Sequence, residues 1–281
     1  MRIELLGVRG STAAPGADFV RYGGHTSCVA VSTEGSDVPS LVLDAGTGLR
    51  VLSARLQGKA YDGSILLTHL HWDHMQGLPF FVAGDRDDSR VDVYIPAQEG
   101  RSGRDLLAQS FSPPAFPISP EGLLGRWAFH ALSEGDHTIE GFAVRAVDVE
   151  HKGGRTFGYR IGDQHASMAY LPDHAPAAGR SAALLEILSG VDVLLHDAQF
   201  LEAERRLARA YGHATVEDAV ALALECGVRT LVLFHHSPVR SDAALDEIAS
   251  WARAHTGDLQ VLVAVEGSVL EIRGDGGPPV R

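Results

Sequence analysis

Short apolar runs alternate with glycine-rich turns over the first third of the chain. The runs have the length of strands and lie at Ile3–Val8, Cys28–Ser32, Leu41–Leu43 and Ile65–Thr68. Turns such as Gly23-Gly24 and Gly46-Thr47-Gly48 separate them, and apolar runs bounded by glycine are typical of strands. The pattern therefore predicts a meander of strands.

The middle of the chain mixes helix and strand patterns and then returns to strands. The pattern predicts a short helix at Met75–Val82, a strand at Val91–Ile95 and a helix at Arg101–Ser110. We expect a loop in the proline-rich segment 112–117, because proline lacks a backbone donor. Four further runs predict the strands of a second sheet: Trp127–Ala131, Phe142–Val149, Thr156–Ile161 and Ser167–Leu171.

Helix and strand patterns alternate in the last hundred residues. The predicted helices are Ser181–Leu188, Leu201–Arg209, Thr215–Cys226 and Ala243–His255, and the predicted strands are Val191–Leu195, Thr230–Phe234 and Leu259–Ala264. Thr215 and Asp218 form a capping-box variant, and Gly227 is a good helix stop. No linker or repeat interrupts the chain. We therefore expect one α/β domain over residues 1–281, a four-layer αββα sandwich of two mixed sheets with outer helices.

Composition limits the classes of function. Hydrophobic content is 45% and charged content 21%, and no apolar run reaches the roughly 20 residues of a membrane span. Glu4 interrupts what would be the apolar part of a secretion signal, which favours a cytoplasmic protein. A net charge of −12 disfavours long nucleic acid as a partner. Cys28 and Cys226 are too few for a disulfide framework or a cysteine zinc site, and we expect both to be buried small side chains.

Candidate metal ligands cluster directly after the apolar run Ile65-Leu66-Leu67. The cluster reads Thr68-His69-Leu70-His71-Trp72-Asp73-His74. We expect it to form a loop at a strand end, where His69 and His71 face one point and Asp73 and His74 face a second. Imidazole suits zinc, iron and manganese, and carboxylate adds hardness and charge. The spacing therefore predicts two adjacent metal ions.

The cluster resembles the His-x-His-x-Asp-His signature of the metallo-β-lactamase superfamily. More narrowly, the chain resembles the branch that contains the Z-type transfer-RNA 3′-processing nucleases and the small cyclic phosphodiesterase of phosphonate metabolism. The opening segments 7–11 and 21–28 look like a subgroup of that branch, which usually has Asn where His25 stands. We interpret His25 as forming a loop hydrogen bond, with contact to substrate as the alternative.

The resemblance implies three further ligands, each after a strand-like run. They are His151, Asp173 and His235, whereas His236 stands one residue beyond the matching position. The implied ligand sets are His69, His71, His151 and Asp173 for one metal, and Asp73, His74, Asp173 and His235 for the other. We expect two divalent ions, zinc in the first place with manganese as the alternative. Such ions about 3.5–4 Å apart share a hydroxide that forms near neutral pH.

The resemblance also implies a pair of residues that assist the leaving group. Asp197 and His213 match an acid and a histidine beside the scissile phosphate, although the branch usually has Glu where Asp197 stands. A carboxylate partner would raise the pKa of the histidine and equip it to donate a proton. We therefore expect Asp73, Asp197 and His213 to be catalytic. The alternative for His213 is a cap of the helix Thr215–Cys226, and His196 is interpreted as a buried or supporting group.

The substrate is expected to be small. Transfer-RNA-processing relatives insert a long arm between the positions of His151 and Asp173, and the short segment here lacks it. Together with the acidic charge, this favours a small phosphodiester such as a cyclic nucleotide or another cyclic phosphate. Lys152 and Arg155 could hold the phosphate, and Arg240 is a weaker candidate.

Four alternatives to a small-phosphodiester hydrolase stay open at this point. Two are hydrolases: one cleaves a carboxylic ester, lactone or amide, and the other processes transfer RNA as an endonuclease. The remaining two are a di-iron redox protein and a binding module without catalysis. Relatives often form dimers, so a homodimer is also an expectation.

Overall fold

The computed structural model describes residues 1–98 and 100–272. Within them the strands are β1 Arg2–Gly7, β2 Cys28–Ser32, β3 Leu41–Leu43, β4 Asp62–Leu66, β5 Arg90–Pro96, β6 Arg126–Leu132, β7 Gly135–Ile139, β8 Phe142–Asp148, β9 Phe157–Gly162, β10 Ser167–Leu171, β11 Val193–Asp197, β12 Thr230–Phe234, β13 Gln260–Val263 and β14 Val269–Glu271. The α-helices are α1 Leu49–Arg55, α2 Trp72–Met75, α3 Gly103–Ala108, α4 Ala182–Leu188, α5 Arg205–Tyr211, α6 Val216–Glu225 and α7 Asp242–His255.

Two mixed sheets hold these strands. The first has the order β14-β1-β2-β3-β4-β5-β6, antiparallel from β14 to β3 and parallel from β3 to β6. The second has the order β13-β12-β11-β10-β9-β8-β7, parallel from β13 to β10 and antiparallel from β10 to β7. Parallel neighbours need crossover connections, and α1, α4, α6 and α7 provide several of them.

Three apolar clusters separate the layers of the fold. The largest lies between the sheets and joins residues of both, such as Leu5 and Val31 with Phe157 and Phe234. A second lies between the first sheet and helices α1 and α3, and a third between the second sheet and helices α4, α6 and α7. This arrangement confirms the expected αββα sandwich. That the chain is one domain stays a prediction, which the shared central core supports.

Several predicted elements match the structure closely. Strands β2, β3, β10 and β12 have the predicted bounds. Helix α6 begins at a capping box in which the Thr215 hydroxyl accepts from the Asp218 amide and the Asp218 carboxylate accepts from the Thr215 amide. Gly227 follows the helix with a positive φ of 64°. No helix in residues 1–98 or 100–272 is long and apolar enough to cross a membrane.

One predicted strand belongs to the other sheet, and the opening strands are connected differently from the prediction. The predicted strand Trp127–Ala131 lies in β6, which pairs with β5 at the edge of the first sheet and not in the second. The opening meander is antiparallel only from β1 to β3, because α1 then leads to the parallel strand β4. Helix α1 was not predicted from the sequence. Its hydrophobic residues pack against the first sheet. An apolar run shows that a strand is buried but not which strand it pairs with.

The expected helix Met75–Val82 was also wrong. Helix α2 covers Trp72–Met75, so Asp73 and His74 lie on a helical turn and not on an irregular loop. A 3₁₀ turn at Leu78–Phe80 follows. Between these two turns, Gly77 packs against the segment Ala45–Gly46: its amide donates to the Ala45 carbonyl, and a Cβ there would lie 2.2 Å from the Gly46 oxygen.

Three smaller differences concern exposed or short elements. Strands β7 and β14 were not predicted, and both lie at the end of a sheet. The strand β11 extends to Asp197, two residues beyond its predicted end. The predicted helix Leu201–Arg209 begins as a 3₁₀ turn at Glu202–Glu204 and continues as α5. Short edge strands bury few apolar side chains, so their patterns are weak.

Candidate metal centre

Seven potential metal ligands from distant parts of the chain lie together where strands of both sheets end. They follow β4, β8, β10 and β12 and are His69, His71, Asp73, His74, His151, Asp173 and His235. Carboxyl ends of parallel neighbours meet at the same edge of a sheet, which is where open α/β folds bind ligands. The structure thus brings together every ligand that the sequence comparison implied.

The first group contains three imidazoles and one carboxylate. His151 Nε2 lies 3.2 Å from His71 Nδ1 and 3.3 Å from Asp173 Oδ2. His69 Nε2 lies 3.5 Å from the same Asp173 oxygen. All four ligand atoms lie within 4.8 Å of one another.

The second group faces the other oxygen of Asp173. His74 Nε2 and His235 Nε2 lie 3.2 and 2.9 Å from Asp173 Oδ1. The same two nitrogens lie 3.2 and 3.1 Å from Asp73 Oδ2. Asp173 therefore lies between the two groups with one oxygen toward each, as expected of a bridging ligand.

These donor sets fit divalent metal ions. In a tetrahedral zinc site with bonds of about 2.0–2.1 Å, neighbouring ligand atoms lie about 3.3 Å apart, close to the distances found here. His69 Nε2 is buried and makes no hydrogen bond in the described chain, and buried polar atoms without partners are unusual unless an ion satisfies them. Imidazole and carboxylate donors also match zinc or manganese.

The pKa shifts divide the histidines into two classes. Burial lowers the pKa values of His69, His71 and His151, so these rings are neutral and offer lone pairs. Burial opposes charge on His235 too, but the carboxylates of Asp173 and Asp73 outweigh it and raise the pKa of His235 to about 10. The pocket around these carboxylates thus attracts positive charge, which protons or metal ions can provide.

Asp44 is a supporting residue that the sequence reasoning missed. Its Oδ2 lies 2.7 Å from His74 Nδ1, and its Oδ1 accepts from the Thr68 amide at 2.7 Å. The hydroxyl of Tyr170, on the other sheet, donates to Oδ2 at 2.9 Å. A carboxylate behind a ligating histidine orients the ring. An available signal was an acid directly after the apolar run Leu41–Leu43.

His235 occupies a position that depends on a glycine in the facing loop. Its backbone has a positive φ of 58°, a conformation that few non-glycine residues adopt. A Cβ on Gly10 would lie only 2.3 Å from His235 Nδ1. Next to that glycine, the Ser11 amide donates to Asp73 Oδ2 at 2.6 Å. The loop after β1 therefore packs against the second ligand group.

Asp197 and His213 form the expected pair. His213 Nδ1 lies 2.8 Å from Asp197 Oδ2, and both side chains are buried. Burial disfavours charge on His213, but Asp197 raises the pKa of His213 above its usual value. The amides of His174 and Gln199 also donate to the Asp197 carboxylate, at 3.2 and 3.0 Å. The helix that follows is capped by Thr215, so capping by His213 is not needed.

His213 also lies close to the second ligand group. Its ring nitrogen is within 4.8 Å of ligand atoms of Asp173 and His235. Since Nδ1 is bonded to Asp197, the atom left to face the two ligand groups or a substrate is Nε2. The buried neighbour His196 bonds His174 Nδ1 through Nε2 at 3.0 Å, consistent with a supporting position.

A cavity of about 640 Å³ opens over both groups. Its lining includes Ser11, Trp72, Lys152, Gln199, Phe200, Tyr211 and His213 besides five of the ligand candidates. Gln199 was not singled out from the sequence. Its side chain is buried, donates to the Ser11 hydroxyl at 3.0 Å and leaves Oε1 without a partner in the described chain.

The candidate phosphate-binding cations differ in position. Lys152 lines the cavity, although its Nζ donates to the Ala210 carbonyl at 2.9 Å. Arg155 does not line it: its guanidinium pairs with Asp148 at 2.8 Å and with Glu134 at 3.3 Å. Arg240 is likewise paired with Glu204. A phosphate would therefore have to compete with existing ion pairs for either arginine.

Two other histidines, His25 and His236, make hydrogen bonds outside the two ligand groups, as expected. His25 Nδ1 lies 3.1 Å from the Thr47 hydroxyl, a contact between loops. His236 is fully buried, and its Nε2 bonds the Ala264 carbonyl at 2.9 Å. Neither is among the described groups of ligand atoms.

Comparison with known proteins gives one family match and several relatives. Residues 40–236 match the family model described as a beta-lactamase superfamily domain. A ribonuclease Z of Nocardia farcinica is 31% identical over 228 positions, covering 62% of this chain and 69% of the relative. The part of this chain that is covered, 62% of 281 residues, contains fewer residues than the 228 aligned positions. The relative therefore contains stretches with no counterpart here.

Two solved structures share the fold. One is a diphosphatase from the PhnP family, with a TM-score of 0.69, 21% identity and coverage of 97% of this chain and 98% of that one. The other is Zn²⁺-bound PqqB from Methylobacterium extorquens, with a TM-score of 0.71, 20% identity and coverage of 97% and 100%.

The first prediction concerns Asp44. Asp44→Ala should lower the free energy of unfolding of the metal-free protein by about 3 kcal/mol or more, because it leaves several buried donors without an acceptor. Tyr170→Phe removes one of those donors alone and should cost only about 1 kcal/mol. Urea unfolding of chelator-treated protein measures both. Equal losses in the two variants would show that Asp44 does not organise this network.

Proposed function

We propose that this chain, which belongs to the metallo-β-lactamase superfamily and is one of its hydrolases, cleaves small phosphodiesters with the help of two metal ions. The observation that carries the proposal is the pairing of two ligand groups through Asp173, in one cavity with His213. Two-metal sites with a nearby acid suit phosphodiester cleavage. A fold alone does not define a reaction, whereas the residues of the site restrict which reaction is possible.

We assign the two metals to the groups described above. His69, His71, His151 and Asp173 would hold one ion, and Asp73, His74, Asp173 and His235 the other. When bound, the two ions supply a water that ionises near neutral pH and positive charge for the phosphate oxygens. Zinc is our first assignment because histidine predominates among the donors, with manganese as the alternative.

The other residues orient the substrate and assist the leaving group. Asp197 holds His213 through Nδ1, so that Nε2 is free to donate a proton to the leaving oxygen. Asp73 is held in turn by the Ser11 amide. Lys152 offers a positive charge within the same cavity. We retain Lys152 as the phosphate-binding cation and give Arg155 the lesser part, because Arg155 is engaged with two carboxylates.

The preference for a small substrate rests on the connection between His151 and Asp173. In the structure that connection consists of β9, β10 and their turns, which pair closely within the second sheet. With the net charge of −12, these features favour a cyclic nucleotide or another small diester over long nucleic acid.

Transfer-RNA processing is the second candidate, since the relative that is 31% identical is named ribonuclease Z. Hydrolysis of a carboxylic ester, lactone or amide is a further alternative, which the Asp197–His213 pair disfavours. A homodimer and a cytoplasmic location stay predictions.

The metal assignment predicts close to two transition-metal ions per chain by elemental analysis. Asp173→Ala should lose both ions more severely than His235→Ala, because Asp173 faces both groups whereas His235 lies in the second group. Asp87→Ala, which removes an exposed carboxylate, should keep both. One ion or none after metal supplementation would refute the two-metal assignment.

The substrate assignment predicts that bis-p-nitrophenyl phosphate is cleaved far faster than p-nitrophenyl phosphate or a lactone. The first two compounds release the same chromophore, so the comparison isolates the diester. Precursor transfer RNA should remain uncut at the same enzyme concentration. Efficient removal of a transfer-RNA 3′ trailer would favour the second candidate and leave the metal assignment intact.

Substitution of His213 separates chemistry from metal binding. His213→Ala should lower turnover on a diester with a poor leaving group by about 10²–10⁴-fold, the range of a positioned acid or base. The loss should shrink for a nitrophenolate leaving group, which needs little protonation. Asp197→Asn should follow the same pattern more weakly. Metal content should match that of His255→Ala, an exposed histidine at the end of α7. Loss of an ion in His213→Ala would identify His213 as a ligand instead.

A further inference from the structure

We propose that the rim of the metal cavity contains a nucleobase-binding subsite formed by Trp72 and Tyr211. The natural substrate would then be a phosphodiester that carries a base, and not a sugar or alkyl diester alone. This inference rests on the proposed phosphodiesterase function and specifies its substrate class.

Trp72 is the first part of the subsite. It opens α2 directly before Asp73, and its side chain is 61% exposed while lining the cavity. In the described part of the chain its indole makes no hydrogen bond, ion pair or ring contact. Ligand pockets are lined predominantly by hydrophobic and aromatic side chains. A free indole face next to the metal ligands therefore offers a stacking partner for a planar group.

Tyr211 is the second part and comes from a different element. It ends α5, lines the same cavity and is 58% exposed. The next residue, Gly212, has a positive φ of 80°, and a Cβ there would lie 2.6 Å from the Lys152 amide nitrogen. This close approach brings the end of α5 against the loop that contains His151 and Lys152. The chain thus holds Tyr211 beside the metal centre by packing that only glycine allows.

Lys152 connects the aromatic rim with the phosphate end of the cavity. Its Nζ lies 5.9 Å from the centre of the Tyr211 ring, within the range of a cation–π contact. A positive charge under one aromatic ring and close to a metal ligand matches a ligand with a planar base and a negative phosphate. A purely apolar ligand would make no favourable electrostatic interaction with the Lys152 ammonium group.

The size of the cavity agrees with such a ligand. Its volume of about 640 Å³ lies within the usual range for small-molecule sites, roughly 300–1,000 Å³, and exceeds what a phosphate group alone requires. Stacking on an aromatic side chain tolerates every base, because each base has a π face. We therefore expect a preference for nucleotides in general and not for one base.

The test compares thymidine 5′-p-nitrophenyl phosphate with methyl p-nitrophenyl phosphate. Both have the same scissile bond and leaving group, and the first carries a deoxyribose and a base where the second carries a methyl group. The variants of Trp72 and Tyr211 then assign the contribution of the base. For the wild-type enzyme kcat/KM should be about 5- to 100-fold higher for the thymidine ester, the range that stacking of one base supplies. Tyr211→Leu and Trp72→Leu should each reduce this ratio, mainly through KM, whereas Tyr211→Phe and Trp72→Phe should retain most of it.

Phe80→Leu is the matched control. Phe80 is as exposed as Tyr211, at 58%, and packs edge-on against Phe116. Among the described residues, the cavity lining does not include Phe80. The ratio of the two kcat/KM values in Phe80→Leu should therefore equal that of the wild type. A ratio near one in the wild type, or an equal ratio in all variants, would overturn the subsite. A change of oligomeric state in Tyr211→Leu with an unchanged ratio would do so too, since the rim would then contact a second subunit.

A binding measurement gives a readout that does not depend on turnover. Adenosine 5′-monophosphate should quench tryptophan fluorescence of the holoenzyme more than ribose 5-phosphate does, and Trp72→Phe should abolish the difference. If neither diester is hydrolysed but the quench differs, the proposed function fails while the subsite stands. If the diesters are cleaved and the two ligands quench equally, the subsite is wrong and the phosphodiesterase proposal stands.

Discussion

The buried carboxylate of Asp44 joins the two sheets directly behind the candidate metal centre. It accepts hydrogen bonds from Thr68 after β4 in the first sheet and from Tyr170 in β10 of the second. It also holds His74, whose other nitrogen faces Asp73 and Asp173. Since Tyr159 in turn donates to the Leu67 carbonyl, the sheets are bonded at more than one point near the site. The relative position of the two ligand groups follows from this connection.

The two ligand groups place two carboxylates and five imidazoles close together in the protein interior. Burial of these ionisable groups is unfavourable unless their charges are balanced. The carboxylates of Asp73 and Asp173 hold the pKa values of His74 and His235 above their ordinary value, whereas burial holds the pKa of His69 below it. Metal ions in place of those protons would satisfy the same carboxylates and the unpartnered nitrogen of His69. Supporting hydrogen bonds from Thr68, Asp44 and the Gly212 carbonyl orient the rings of His69, His74 and His151 before any ion binds.

The two ligand groups require only that the ends of several strands lie close together, whereas the elements around the cavity determine which molecules can enter it. In this chain the connection between His151 and Asp173 is the short β9–β10 hairpin, and Trp72 and Tyr211 line the opening of the cavity. These surroundings, and not the ligand sets, determine which substrate can bind, because substrate-binding residues lie on the loops that a rigid scaffold positions.

The sequence alone determined the chemistry of the site and the class of the fold. The cluster from His69 to His74 is local, so its spacing can be read directly, and alternating apolar runs predicted most strands and the later helices. Only the tertiary structure decided which side chains meet. It placed β6 in the first sheet, brought Asp44 behind His74, and engaged Arg155 with Asp148 and Glu134 and not with the cavity. Hydrophobic periodicity reports which face of an element is buried, whereas these contacts join residues far apart in the chain and depend on sheet order, which no local pattern contains.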